Sequence, residues 1–273
     1  SYHRGDVVGP GADRGRGADE RVFMKQAPIL FGGTRYALRL PIGQPEIIKG
    51  APRAALTRFY RDWYRPDLMA VIVVGDVDPA AITAAITARF GDLTNPATPR
   101  PRIGGGALDR TGTKIAIDTD PELRQTWVAI QDLFPHRRES HASDYRMFVQ
   151  DGLYHRMLGQ RLQTLARKPD APFVMAFSYT GDATREFESF GRRAIAKDGR
   201  IEATLEVLLT EVARVARHGF TAAELERAKR GYLKAAADSA AEWDQQDATE
   251  YADELTRNFF QGELVIGRVA EDE

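Results

Sequence analysis

The 273-residue chain contains no cysteine. Disulfides, thiolate metal sites, iron–sulfur clusters and a cysteine nucleophile are therefore excluded. An excess of either charge is also missing, since 38 Lys and Arg stand against 39 Asp and Glu. That balance leaves no electrostatic footprint for nucleic acid or an anionic membrane, and neither is expected as a partner. No apolar run approaches the roughly 18 residues that a membrane-spanning helix needs. Histidine is scarce, with five in the chain, and lysine is too, with 7 against 31 arginines. The arginine bias fits a GC-rich bacterial genome and says nothing about mechanism. The opening Ser1–Asp6 does not read as a signal peptide. A cysteine-free bacterial chain suits the periplasm and the cytoplasm alike.

What is present is enough apolar sequence, 43% of residues, to build real cores in one large or two ordinary domains. Residues 1–20 are rich in Gly, Asp and Arg and read as an irregular start. A short helix is expected around Arg21–Gln26, then a loop through Gly32-Gly33 and Pro41–Gly43. Leu56, Phe59, Tyr60 and Trp63 recur at i, i+3, i+4 and i+7, which predicts a helix over 54–64 with those side chains buried. Pro66 ends it. Met69–Val74 is a continuous apolar run and predicts a central strand buried on both faces. Asp78 and Pro79 form a cap and first-turn pair for the next helix, with Ile82, Ile86 and Phe90 inward.

The stretch 94–112, T-N-P-A-T-P-R-P-R-I-G-G-G-A-L-D-R-T-G, is dense in proline and glycine and reads as a linker. Its three adjacent glycines neither follow a strand nor open a helix, so they do not form a phosphate loop. Beyond it, strands are expected at Lys114–Asp118, Thr126–Phe134, Phe173–Tyr179 and Phe187–Ala196. A long helix is expected over Ser143–Arg167, and another carrying the stripe Ile201, Leu205, Leu208, Val212 and Val215, ended by Gly219. Thr221-Ala-Ala-Glu224 is a capping box for a helix running past Lys234, and a last helix covers Thr249–Phe260. The class is α+β, with a helical layer on one face of a sheet.

One stretch resembles a metal site: His136-Arg-Arg-Glu-Ser-His141. In the H-x-x-E-H zinc motif the histidines are four apart, about 40° around a helix, and both reach one ion. Here they are five apart, about 140° around the axis, so one helix cannot aim both at one metal. Pro135 precedes them, and the long helix begins only near Ser143. The stretch reads as a strand-to-helix loop. His155 sits beside apolar positions as a core or half-exposed histidine, His218 lies in the last turn of a helix, and His3 lies in the irregular start. No histidine pair has ligand spacing, and no G-x-S-x-G elbow exists.

Leu56-Thr-Arg-Phe-Tyr-Arg-Asp-Trp-Tyr-Arg-Pro-Asp-Leu-Met-Ala-Val-Ile-Val-Val-Gly-Asp-Val-Asp78 resembles the insulinase/pitrilysin family of zinc metallopeptidases, which reads F-Y-x-x-W-Y-x-P-x-x-M, an apolar strand, then G-D. Leu30–Gly43, Gln160–Phe173 and Ala222–Lys229 are similar to the same family, so the likeness spans roughly 20–262. The resemblance implies two insulinase-type domains, each a mostly antiparallel sheet with helices on one face, the first incomplete. It divides the chain into 1–93, the C-terminal portion of a catalytic-type domain; a linker, 94–112; a second, non-catalytic domain, 113–262; and a tail, 263–273.

The family's zinc motif lies on a helix upstream of the F-Y-x-x-W-Y segment, and no H-x-x-E-H occurs here. A third ligand, a Glu, is implied near Pro10–Gly11, where Val7–Ala12 holds no acid. No catalytic, metal or substrate-binding residue is carried over. The implied function is a region of a bacterial zinc metalloendopeptidase that hydrolyses peptides in an enclosed chamber, with this chain as wall. Zinc is expected in the longer protein and not in this chain, which alone is inactive. Its partners are then a peptide substrate and either the remainder of the longer chain or a second family subunit. The alternative is a non-catalytic homologue acting as a structural or partner subunit.

Overall fold

The computed structural model describes residues 17–40, 43–109, 111–137, 141–242 and 247–265. Residues 1–16 of the expected irregular start, with the Pro10–Gly11 position, lie outside them, whereas Ala18–Glu20 of that stretch are helical and correct the expectation there. The chain forms two compact units, Ser1–Ala70 with Thr83–Arg124, and Val71–Ile82 with Gln125–Glu273.

The first unit is helical with long extended connections. Helix α1 spans Ala18–Leu30, longer than the expected turn at Arg21–Gln26, with Asp19 and Glu20 in its first turn where the helix dipole favours anions. Arg21 reaches from it to Asp120 at 2.7 Å and to Glu122 at 2.7 Å, and holds the Asp120 carboxyl down at about 2. A short helix α2, Pro45–Gly50, precedes α3, Arg53–Trp63. Tyr64 N–H closes the end of α3 on the Tyr60 carbonyl, and Pro66 opens a single 3₁₀ turn, Pro66–Leu68. Helix α4, Pro79–Phe90, starts as its sequence demands, with the Asp78 carboxylate accepting from Ala80 N–H at 2.9 Å.

The linker of 94–112 has no regular structure among its described residues, yet part of it is anchored. Arg35 N–H donates to Gly105 O at 2.6 Å and Asp109 N–H to Gly32 O at 2.8 Å. Gly33 has φ 83°, and a Cβ there would meet Ala107 O at 2.9 Å. Both the positive φ and the close backbone approach require glycine.

Four expectations about residues 53–118 are corrected. The apolar stripe of α3 is not buried: Leu56, Phe59 and Tyr60 are 58%, 59% and 63% exposed. Met69–Val74 forms no strand and is not buried on both faces; Met69, Val71 and Val73 are exposed. Lys114–Asp118 forms no strand either, with Ile115 and Ile117 almost fully exposed. Each segment has the residues for its predicted element. What is missing among the described residues is a neighbour to pack against or pair with. Phe90, expected inward on α4, is likewise exposed.

The second unit holds an antiparallel sheet of three strands in the order β1-β3-β2: β1 Thr126–Pro135, β2 Phe173–Thr184 and β3 Phe187–Ala196. β1 and β3 pair without interruption from Thr126↔Ala196 to Pro135↔Phe187. β2 and β3 form a hairpin, whose Thr184 hydroxyl accepts from Glu186 and Phe187 N–H. Helices α5, Ala142–Ala166, and α6, Ile201–His218, cover one sheet face. Leu158 and Leu162 from α5 and Leu208 from α6 meet Val128, Phe173, Ala176, Ala194 and Ala196 of the strands in one buried cluster.

Strand periodicity of two puts Trp127, Phe177, Tyr179 and Arg193 on the opposite face. The α6 stripe is rotated from expectation: Ile201 and Leu205 are exposed, whereas Thr204, Leu208 and Glu211 are buried. Thr204 can go inside because its hydroxyl is placed against the carbonyls of Pro172 and Arg200, at 3.1 and 2.7 Å. Gly219, φ 66°, ends α6. The Thr221/Glu224 capping box then opens α7, Ala222–Glu242. The last helix, α8, Ala248–Gln261, is capped by Asp247 and ended by a left-handed Gly262.

Candidate functional site

The HRRESH stretch bridges β1 and α5, with residues 138–140 outside the described ones. His136 Nε2 lies 3.0 Å from Asp182 Oδ1, whose other oxygen accepts from Gln261 Nε2 at 2.9 Å. Arg137 is held between Asp151, at 2.7 Å, and Glu188. His141 is the N-cap position of α5, and its N–H donates to Asp144 Oδ2 at 3.0 Å. His136 is thus held to β2, while His141 caps α5, each with its own carboxylate. His218 ends α6, as its sequence position suggests.

The histidine inside the fold is His155. Its Nδ1 sits 2.7 Å from Ser178 Oγ, and Ser178 Oγ donates to Gly191 O at 3.3 Å. Donor and acceptor at the 2.7 Å contact depend on the imidazole tautomer: Nδ1–H donates to Ser178 in one, and Nδ1 accepts the Ser178 proton in the other. Nε2 is buried without a partner, and the ring lies 4.5 Å from Phe190 between centroids. Burial pushes the imidazole down to about 4, more than Asp151 raises it, so His155 is neutral at pH 7. A nucleophilic serine needs a third group that orients the base through its other ring nitrogen, and His155 Nε2 has no such partner among the described residues. The pair is a core polar contact.

Arginines set the rest of this unit's electrostatics. Arg192 is buried beside His155, donates to the Tyr154 hydroxyl at 3.2 Å and stacks on Phe190. Arg161 clamps Glu224 through two hydrogen bonds of 2.6 and 2.8 Å, lies over Phe220, and holds the Glu224 carboxyl down at about 2. On the sheet face opposite α5 and α6, the Arg193 guanidinium lies 4.0 Å above Trp127, Trp127 meets Phe177 edge-on, and Tyr179 covers Gly191 so closely that a Cβ would meet its ring at 2.6 Å. Three aromatic rings and the Arg193 guanidinium thus share this face.

In the first unit, Arg65 stands out. It follows Trp63-Tyr64, is 5% exposed, and has Nε and Nη1 buried without hydrogen-bond partners. Asp67 Oδ1 is 3.1 Å from Nε but outside hydrogen-bonding geometry, and Trp63 stacks at 5.9 Å.

No group of three or more His, Asp or Glu among the described residues could hold a metal ion. The described residues do not fit zinc, since His136, His141, His155 and His218 are spread over a loop, a core and a helix end.

The profile of the peptidase M16 inactive domain matches residues 51–232, two-thirds of the chain. This chain belongs to the M16 peptidase family. The M16 match opens two residues before α3 and runs into α7, so it takes in the F-Y-x-x-W-Y helix and the three-stranded sheet together. The insulinase-type, metallopeptidase character inferred from the α3 motif is thereby established at the level of the family.

Among M16 relatives, the chain is 27% identical over 254 residues to a zinc protease PQQL-like protein of Arabidopsis thaliana, covering 92% of this chain and 24% of that one. The crystal structure of the periplasmic protease PqqL from Escherichia coli superposes with a TM-score of 0.87 at 22% identity, over 97% of this chain and 29% of that one. The structure of the first half of that protease gives a TM-score of 0.84 at 21% identity, over 98% of this chain and 57% of that one. These superpositions establish the shared α+β fold. The chain spans about a quarter of the length of the relatives it matches.

Sequence reasoning placed His136, His141, His155 and His218 in their elements but could not see that Arg65 is buried. The burial of a single arginine has no signature in spacing.

Proposed function

We propose that this chain is a non-catalytic region of a bacterial zinc metalloendopeptidase, forming wall of an enclosed chamber in which peptides are cleaved. One observation carries the reading: the matched domain is the family's inactive one, and H-x-x-E-H occurs nowhere in the 273 residues. Zinc, when bound elsewhere in the longer protein, supplies an activated water for attack on a peptide carbonyl. This chain's own residues supply shape. The helices α5 and α6 stiffen the sheet, and its other face offers Trp127, Phe177, Tyr179 and Arg193 to an extended peptide. In this reading residues 1–93 complete the catalytic-type domain, 94–112 link, 113–262 form the non-catalytic domain, and 263–273 are a tail. Likeness to a periplasmic protease supports the periplasm as its compartment.

The test compares this chain with the full-length protein by elemental analysis and chelator-sensitive peptide cleavage. Expected are one zinc and cleavage for the full-length protein, and neither for this chain. Stoichiometric zinc or chelator-sensitive cleavage by this chain alone would contradict the reading. So would a full-length protein inert toward peptides, which favours a structural partner subunit.

A further inference from the structure

The sheet of the second unit divides its charges unevenly between its two faces. β3 carries two consecutive arginines, and the strand's period of two sends them to opposite sides. Arg192 turns toward α5, where an Asp132 oxygen lies 3.8 Å away and the Tyr154 hydroxyl accepts from it at 3.2 Å. Arg193 turns to the face opposite α5 and α6. It is partly exposed and makes no hydrogen bond or ion pair among the described residues. The strand register gives the reason. Asp132, Asp182 and Glu188 all fall on the Arg192 side, and the strand residues that share the face of Arg193 include no acid.

What Arg193 does have is an aromatic platform. Its guanidinium lies 4.0 Å from the Trp127 ring centroid on β1, a contact that fixes the head group without using its N–H donors. On its other side Phe177 of β2 is its partner across the strands, and the Phe177 ring meets Trp127 at 6.3 Å and Tyr179 at 5.8 Å between centroids. Tyr179 is pinned across Gly191, and its hydroxyl donates to Gln131 Oε1 at 3.4 Å. A guanidinium held by stacking, with its planar fork free, is pre-organised for a carboxylate, which it takes through two parallel hydrogen bonds.

We propose that this face is a subsite for an acidic side chain, Asp or Glu, inside an extended peptide. Arg193 receives the carboxylate, and Trp127, Phe177 and Tyr179 pack the peptide's apolar neighbours. The uncompensated cation sets the sign of the partner. The rings set the position of its charge: they stand on both strands that flank Arg193, so the acid has apolar residues on either side, whereas a chain-terminal carboxylate has them on one. This inference rests on the reading of the sheet face as a chamber wall, and deepens it by naming the side chain that the wall selects.

The probe is a short peptide, acetylated and amidated at its ends, with one glutamate between phenylalanines placed two residues to either side. Matched peptides carry glutamine or lysine instead of the glutamate. Calorimetry measures their binding to this chain and to its Arg193→Met, Arg193→Lys and Arg193→Glu variants, with circular dichroism as the check on fold. The Glu peptide should bind about tenfold tighter than the Gln peptide, as for a charge-assisted contact on a partly exposed surface. Arg193→Met should abolish the difference. Arg193→Lys should leave an intermediate one, since it keeps the charge and loses the fork. Arg193→Glu should invert the order in favour of the Lys peptide, which a merely structural arginine would not do.

Equal binding of the Glu and Gln peptides by the unsubstituted chain, no binding of either, or a preference that survives in Arg193→Met would each overturn the proposal. A Gln peptide with a free C-terminus that binds as tightly as the blocked Glu peptide would also overturn it, since the receptor would then serve chain ends. The peptide series on the unsubstituted chain decides the matter even where a variant fails to fold. A full-length protein that cleaves no peptide, while this chain keeps its preference for the acid, refutes the peptidase and keeps the subsite. A full-length protein that cleaves the Glu and Gln peptides with equal kcat/KM, joined to a chain that binds them equally, refutes the subsite and keeps the peptidase.

Discussion

The two units draw on similar sequence material and arrive at different degrees of burial. In the second, Phe173, Leu158, Leu162 and Leu208 are at most 1% exposed, and each touches partners from a different element. In the first, Ala27 and Phe31 are the hydrophobic residues buried among those described, while Leu56, Phe59, Tyr60, Ile115 and Ile117 lie open. The difference is not one of apolar content. The α3 stripe carries Leu56, Phe59 and Tyr60, apolar residues of the same kind as the buried Leu158, Leu162 and Phe173. What separates them is supply of neighbours. β3 is flanked by a strand on each side, so every residue that periodicity turns inward finds a helix above it. An amphipathic pattern states which side must be covered, and a second element must come from somewhere to cover it.

The comparison breaks first, if it breaks, on core truncations. Leu158→Ala should cost about 2–5 kcal/mol, the range for a fully buried leucine. Leu56→Ala in this chain should stay within about 0.5 kcal/mol, as at other exposed sites. Urea unfolding followed by circular dichroism measures both. A Leu56→Ala loss equal to that of Leu158→Ala would mean that the first unit has a core of its own.

The second unit should also respond to acid in a way the first does not. His155 is held down at about 4 in the fold against an ordinary value near 6.5, chiefly by burial. The unfolded chain therefore binds the proton more readily. The resulting stability is present above about pH 6.5 and is lost as pH falls from there toward 4. The loss is on the order of 1 kcal/mol once solvent screening of a half-buried ring is allowed for. Thermal unfolding of the wild type and of His155→Gln across that range checks it. The wild-type melting temperature should fall more steeply than that of the variant, and parallel curves would assign the acid response to other groups.

A smaller effect belongs to the α7 start. Thr221→Ala removes the side-chain half of the capping box and should cost about 1 kcal/mol. The Glu224 carboxylate, held at about 2, keeps its contribution above its ordinary value near 4.5 and loses it as pH falls toward 2. Urea midpoints at pH 7 for Thr221→Ala and Glu224→Gln measure the two halves of the box, and an unchanged midpoint in both would remove it from the list of stabilising features.

Much of the second unit was legible in sequence because its signals are local. β3 falls at Phe187–Ala196 as expected, β1 runs one residue past Phe134, and the caps at Asp78 and Thr221 close as their spacing predicts. The spacing argument against a zinc site at His136 and His141 agrees with their separate engagements at Asp182 and Asp144. Other features were out of reach for one reason: each depends on a residue far along the chain. The α6 face is turned by Thr204 bonding to Pro172, and β2 continues past Tyr179 because β3 is there to pair with it. The burial of α3 and of Met69–Val74 was inferred from pattern, and pattern cannot report whether the covering element lies in the same chain.

Hydrogen exchange on the isolated chain tests the central contrast most directly, because it reads both units in one sample. The account predicts the slowest amides in α5, α6 and the β1–β3–β2 ladder. Exchange should be faster by orders of magnitude through α3. Equal protection of α3 and α6 would contradict it, and would show that the first unit is complete without further chain.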